Sequence, residues 1–71
     1  MGRRLPITNQ VRTLRERAGG MTQAQLADAI GVTRQTVIAI EQGRYSPSLE
    51  SAFRIAREFG VGLEDVFGWQ E

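Results

Sequence analysis

The stretch TQAQLADAIGVTRQTVIAIEQG, residues 22–43, decides how the chain folds. It opens on Thr22, with Gln25 three positions on. A threonine accepting from the backbone N–H three residues later, answered by a Gln side chain reaching back, is a capping box and starts a helix. Leu26, Ala27 and Ile30 then fall on one helical face. Gly31 stands where a left-handed residue ends a helix without Cβ strain. Thr33 caps a second helix over about residues 34–42, with Val37 and Ile40 pointing inward, and Gly43 stops it. Ala27, four before the glycine, is small enough for a close crossing. Two short helices joined in this way meet at roughly 90–120° and leave the second one facing out.

Upstream, Val11, Leu14 and Ala18 recur on one face of a first helix, capped by Thr8 or Asn9 and ended by Gly19-Gly20. Downstream, Tyr45-Ser46-Pro47 is a turn, and Ser48 caps a fourth helix with Glu50 in its first turn opposing the dipole. Leu49, Ala52, Phe53, Ala56 and Phe59 supply its apolar stripe. Gly60-Val61-Gly62 breaks it, and Leu63, Val66 and Phe67 suggest a last short helix. Leu5 and Ile7 can pair as a short strand with the 68–71 tail. The expected fold class is all-α, five helices in one domain spanning residues 1–71, with a small antiparallel β-hairpin between its N- and C-terminal segments.

At 71 residues the core is thin. The chain has no Cys and no His, which excludes disulfides and a Cys/His zinc site and makes a partner chain the attractive source of extra stability. No metal or other cofactor is expected. The absence of His and Cys also removes the common nucleophile–base pairs. Glu64 and Asp65 read as first-turn acids, and Gly60-Val61-Gly62 lacks the preceding strand of a dinucleotide loop. An enzyme is not expected. No apolar run is long enough to span a bilayer, and Arg3-Arg4 is not followed by the apolar stretch of a signal peptide, so a cytoplasmic protein is expected.

Charge is unevenly placed. Residues 1–44 hold seven Arg against three acids, whereas residues 45–71 hold two Arg against five. The basic half suits a polyanion such as DNA, and the acidic half should face away from it. The outward face of the helix after Gly31 carries Arg34, Gln35, Ile38 and Ala39. In a helix-turn-helix the N-terminal part of this helix enters the major groove. Arg suits guanine, Gln suits adenine, and Ile38 and Ala39 can touch thymine methyls.

These residues resemble a known family, the Cro/repressor-type (XRE) helix-turn-helix regulators. The marks are Thr22-Gln23-Ala24-Gln25-Leu26-Ala27, Gly31-Val32-Thr33-Arg34-Gln35-Thr36-Val37, Ile40-Glu41-Gln42-Gly43 and Pro47-Ser48-Leu49. The ending Leu63 to Gln70 resembles the smallest stand-alone members, such as the cytolysin-type repressor. The resemblance implies a five-helix, lambda-repressor-like domain with a small antiparallel sheet, acting as a homodimer on a palindromic operator in double-stranded DNA, most often as a repressor. It implies base or groove contact by Arg34, Gln35, Thr36 and Ala39, with Ile38 beside them. It implies phosphate contact by Gln23, Thr33 and Arg44, and Tyr45 either joins them or packs in the turn. It implies a buried Arg15–Glu41 salt bridge, with Ala27 and Gly31 in structural roles. The helix-turn-helix proper covers about residues 23–42, and residues 61–71 would dimerise through Leu63, Val66, Phe67 and Trp69. Between Arg15 and Thr22 the family usually has one residue fewer; Gly19-Gly20 is the insertion, which unsettles where Arg12 and Arg17 lie. Two neighbouring roles share these marks: the antitoxin of a toxin–antitoxin pair and a restriction-modification controller.

Overall fold

The computed structural model describes residues 5–70; Arg3, Arg4 and Glu71 lie outside them. The order is β1 (Ile7–Asn9), α1 (Val11–Arg17), α2 (Gln23–Ile30), α3 (Arg34–Glu41), α4 (Leu49–Phe59), α5 (Leu63–Val66) and β2 (Phe67–Trp69). The fold is all-α, five helices with a two-stranded antiparallel ribbon joining the two ends of the chain. Its register pairs Ile7 with Trp69, Thr8 with Gly68 and Asn9 with Phe67.

Local rules set the central elements. Thr22 and Gln25 form the reciprocal capping box, at 3.0 and 2.9 Å. Gly31 ends α2 at φ 78°, ψ 32°, in the left-handed region. Thr33 caps α3 by accepting from the Thr36 N–H, and Ser48 caps α4 by accepting from the Ser51 N–H. Val11, Leu26, Ala27, Ile30, Val37, Ile40, Ile55, Ala56 and Val66 close into one core, flanked by half-buried Leu14, Met21, Val32, Phe59, Val61 and Phe67. Each fully buried Leu, Ile or Val contributes about 1.5–3 kcal/mol.

Four sequence expectations need correction. The N-cap of α1 is Gln10, which makes no side-chain capping bond; Asn9, one residue earlier, accepts from the Val11 N–H instead. Ala18 is exposed just beyond α1 rather than facing the core. In α4 the buried residues are Ala52, Ile55 and Ala56, whereas Leu49 and Phe53 are 68% and 49% exposed. The packed stripe is therefore rotated toward Ile55, which meets the core where the other edge of the helix meets none. Finally, α5 ends at Val66, and Phe67 starts β2. Val66 is 1% exposed, closed inside its own chain, so it has no surface to offer a partner.

A two-stranded ribbon is marginal on its own, and here it is tied down at several points. The Gln10 N–H donates to the Val66 carbonyl at 2.8 Å, and the Gln70 N–H to the Pro6 carbonyl at 2.6 Å. Asn9 also donates from Nδ2 to the Ile40 carbonyl of α3 at 2.9 Å.

Candidate nucleic-acid interface

The core fixes which face of α3 looks out. Val37 and Ile40 are buried, and this leaves Arg34 and Gln35 exposed at its N-terminus. Thr36, Ile38 and Ala39 are half-buried on the same helix. Ile38 is thus less exposed than its place on the helix implied. It lines a polar groove of about 370 Å³ with Arg12, Arg15, Glu16, Gln23, Glu41 and Gln42. The Thr36 hydroxyl is engaged by the capping residue, its Oγ1 lying 3.0 Å from that of Thr33.

Beneath the groove lies an ion pair that joins three helices. Arg15 Nε donates to Glu41 Oε2 at 2.6 Å and Nη2 to Glu41 Oε1 at 3.0 Å, with the two side chains only 12% and 8% exposed. Arg15 Nη1 donates to the Met21 carbonyl at 2.8 Å, which pins the loop carrying Gly19-Gly20. Gln23 Nε2 donates to Glu41 Oε1 at 3.1 Å. Glu41 therefore holds the Arg on α1 and the Gln at the start of α2 while itself sitting on α3. Its hydrogen bond and negative charge raise the Arg15 pKa above the ordinary arginine value against the opposing effect of burial.

Beyond α3, Gly43 turns the chain at φ 73°, and exposed Arg44 and half-exposed Tyr45 follow. Arg34, Gln35 and Arg44 thus stand out around α3, with Thr33 exposed at its cap and Gln23 half-buried at the start of α2. The exposed acids Glu50, Glu58, Glu64 and Asp65 sit on α4 and α5. Sequence reasoning gave no role to Gln42, at the C-cap of α3, and left open the place of Arg12, which lines the same groove. The only signal for Gln42 was its position next to Glu41.

A separate, apolar groove of about 320 Å³ is lined by Ile7, Pro47, Leu49, Ala52, Leu63 and Phe67, and Trp69 is 65% exposed. Of the residues expected at a dimer face, Leu63, Phe67 and Trp69 reach the surface; Ile7 and Leu49 join them.

Comparison with known proteins agrees with this architecture. Residues 11–66 match the helix-turn-helix family model. The chain is 55% identical, over 72% of its length and 77% of the relative's, to an HTH-type transcriptional regulator of Methanocaldococcus jannaschii. It is 49% identical, over 92% of its length and 97% of the relative's, to the HTH-type regulator YgzD of Bacillus subtilis. A more distant relative is the cryptic phage CTXphi transcriptional repressor RstR of Vibrio cholerae, 32% identical over 84% of this chain and 53% of that one. Among solved structures, the restriction-modification controller C.AhdI of Aeromonas hydrophila superposes with a TM-score of 0.71 at 28% identity, over 79% of this chain and 83% of that one. No helix among the described residues is long and apolar enough to cross a membrane. With its glycine-hinged helix pair, its outward α3 and these relatives, the chain belongs to the XRE-type helix-turn-helix family of transcriptional regulators.

Proposed function

We propose that this protein binds a palindromic operator in double-stranded DNA as a homodimer and represses transcription there. The observation that carries the reading is the orientation of α3: its apolar edge is sealed in the core, so Arg34 and Gln35 project from its N-terminal turn. A helix presented this way enters a major groove by its N-terminal end. Arg34 then donates in bidentate fashion to guanine and Gln35 pairs with adenine. Thr36, Ile38 and Ala39 face the same groove and supply apolar contact to thymine methyls. Gln23, Thr33, Arg44 and Tyr45 surround α3 and hold phosphates, which fix the register without reading sequence.

One such helix reads too few base pairs for specificity, and two-fold symmetry supplies a second half-site about 34 Å away. The occupant that fits the apolar groove is a second copy of this chain. Its lining of Ile7, Pro47, Leu49, Ala52, Leu63 and Phe67 is apolar and includes none of the arginines around α3, so two copies can meet there with both recognition helices free. Repression is supported by the relative RstR, named as a repressor. Binding and occlusion of DNA in the cytoplasm require no chemistry, cofactor or metal. The likeness to C.AhdI favours a second reading, control of a restriction-modification operon, which uses the same interface.

Selection of duplexes from a random pool, followed by sedimentation, tests the proposal. The expected result is enrichment of two inverted copies of a short motif about one helical turn apart, bound by a dimer. A 7.9 kDa monomer at micromolar concentration, or a pool with no enriched motif, refutes it.

A further inference from the structure

Asn9 uses both ends of its amide. Oδ1 accepts from the Val11 N–H at the start of α1 at 3.1 Å, and Nδ2 donates to the Ile40 carbonyl in the last turn of α3 at 2.9 Å. That carbonyl also accepts from the Gly43 N–H at 3.0 Å. In the ribbon Asn9 stands opposite Phe67, and Ile7 opposite Trp69. One part of the ribbon therefore carries apolar residues of the proposed dimer face, and the adjoining part is fastened to the recognition helix. The Leu5 N–H adds a longer tie to the Gly43 carbonyl, at 3.3 Å.

We propose that Asn9 is a positioning residue for DNA recognition: by joining β1 to the Ile40 carbonyl it fixes the pose of α3 against the dimer face, and so sets the half-site spacing that the dimer accepts. The inference rests on the dimeric reading above. A symmetric dimer discriminates between spacings only if each recognition helix is stiff relative to the two-fold interface. A mis-spaced operator must otherwise be met by strain, and a soft joint absorbs that strain cheaply. In this chain the proposed interface spans α4, α5 and the ribbon: α4 and α5 reach α3 through apolar packing in the shared core, whereas the ribbon reaches it through a side-chain hydrogen bond. The Asn9–Ile40 bond spans 31 positions of sequence and orients one element on the other directionally, as apolar packing does not.

The test uses the full chain and the duplex selected by the wild type, remade with the half-sites moved apart or together one base pair at a time. Asn9→Ser keeps a short side-chain acceptor for the Val11 N–H but cannot reach Ile40. Asn9→Asp keeps shape and cap but has no donor. Both variants should dimerise like the wild type and bind a single half-site duplex with unchanged affinity. Their preference for the best spacing over its neighbours should fall about fivefold, the worth of one ordinary hydrogen bond. A lower melting temperature with an unaltered spacing profile shows a merely structural role and overturns the proposal, as does failure of both variants to fold. A wild type without dimerisation or without spacing preference refutes the dimeric reading itself, an outcome visible before any variant is made.

Discussion

Glu41→Ala leaves the Arg15 guanidinium in place without the carboxylate that it contacts twice, at 2.6 and 3.0 Å. Arg15 is too enclosed to recover its water, at 12% side-chain exposure, and retains only the Met21 carbonyl. Removing one partner of a buried pair costs about 3–5 kcal/mol. A domain of this length has roughly 4–10 kcal/mol in total, so in the least favourable case most of the variant should be unfolded. At about 4–8 °C per kcal/mol, a loss of about 3 kcal/mol lowers the melting temperature by roughly 12–24 °C. Thermal melts of Glu41→Ala, Arg15→Ala and the double variant form a cycle, and their non-additivity measures the coupling. Arg15→Met with Glu41→Leu should recover much of the loss, because an apolar pair has no desolvation to offset. The pH dependence follows from the raised pKa of Arg15. Its contribution is complete below the ordinary arginine value and is lost only as pH rises through the still higher folded one. From the arginine side, the deficit of Glu41→Ala should therefore be the same at about pH 7 and about pH 10. A melting shift under about 4 °C, the behaviour of an exposed pair, refutes the reasoning.

The hinge gives a second prediction. A Cβ on Gly31 meets only Arg54 Nη1 at an ordinary 3.6 Å, so the penalty there is φ +78° rather than crowding. Gly31→Val should lower stability by about 2 kcal/mol or more and Gly31→Asn by clearly less; equal melting temperatures contradict the left-handed turn. At the proposed reading face, Arg34→Ala should cost about 1–3 kcal/mol and relax preference at one base position, seen by binding to operators varied base by base. Arg44→Ala should weaken binding to all sequences alike and reduce the slope of log affinity against log salt by about 1. Leu49→Glu should give a monomer by sedimentation with little change in melting, since Leu49 is already 68% exposed; an intact dimer moves the interface elsewhere.

The central helices were legible because their signals are local. Thr22, Gln25, Gly31, Thr33 and Ser48 act through bonds to residues at most four positions away. The phase of α4 was not legible. Apolar residues at 49, 52, 53, 55, 56 and 59 support two overlapping stripes, and only the surrounding core selects Ile55 over Leu49 and Phe53. The place of Val66 was missed for the same reason: a four-residue helix has too few positions to show which side is wet. Asn9 was visible as a capping residue, but its second partner is a carbonyl on another helix, and no sequence pattern marks a carbonyl.

The ribbon has a consequence for how the chain matures. Ile7 waits for Trp69, about sixty residues later, and closing so large a loop is entropically slow compared with forming any of the helices. During synthesis α1 to α4 can emerge and begin to pack while β1 still lacks its mate. The strand that carries Asn9 settles only after Phe67–Trp69 has left the ribosome, so a nascent chain holds α3 before the ribbon that bonds to its last turn is complete.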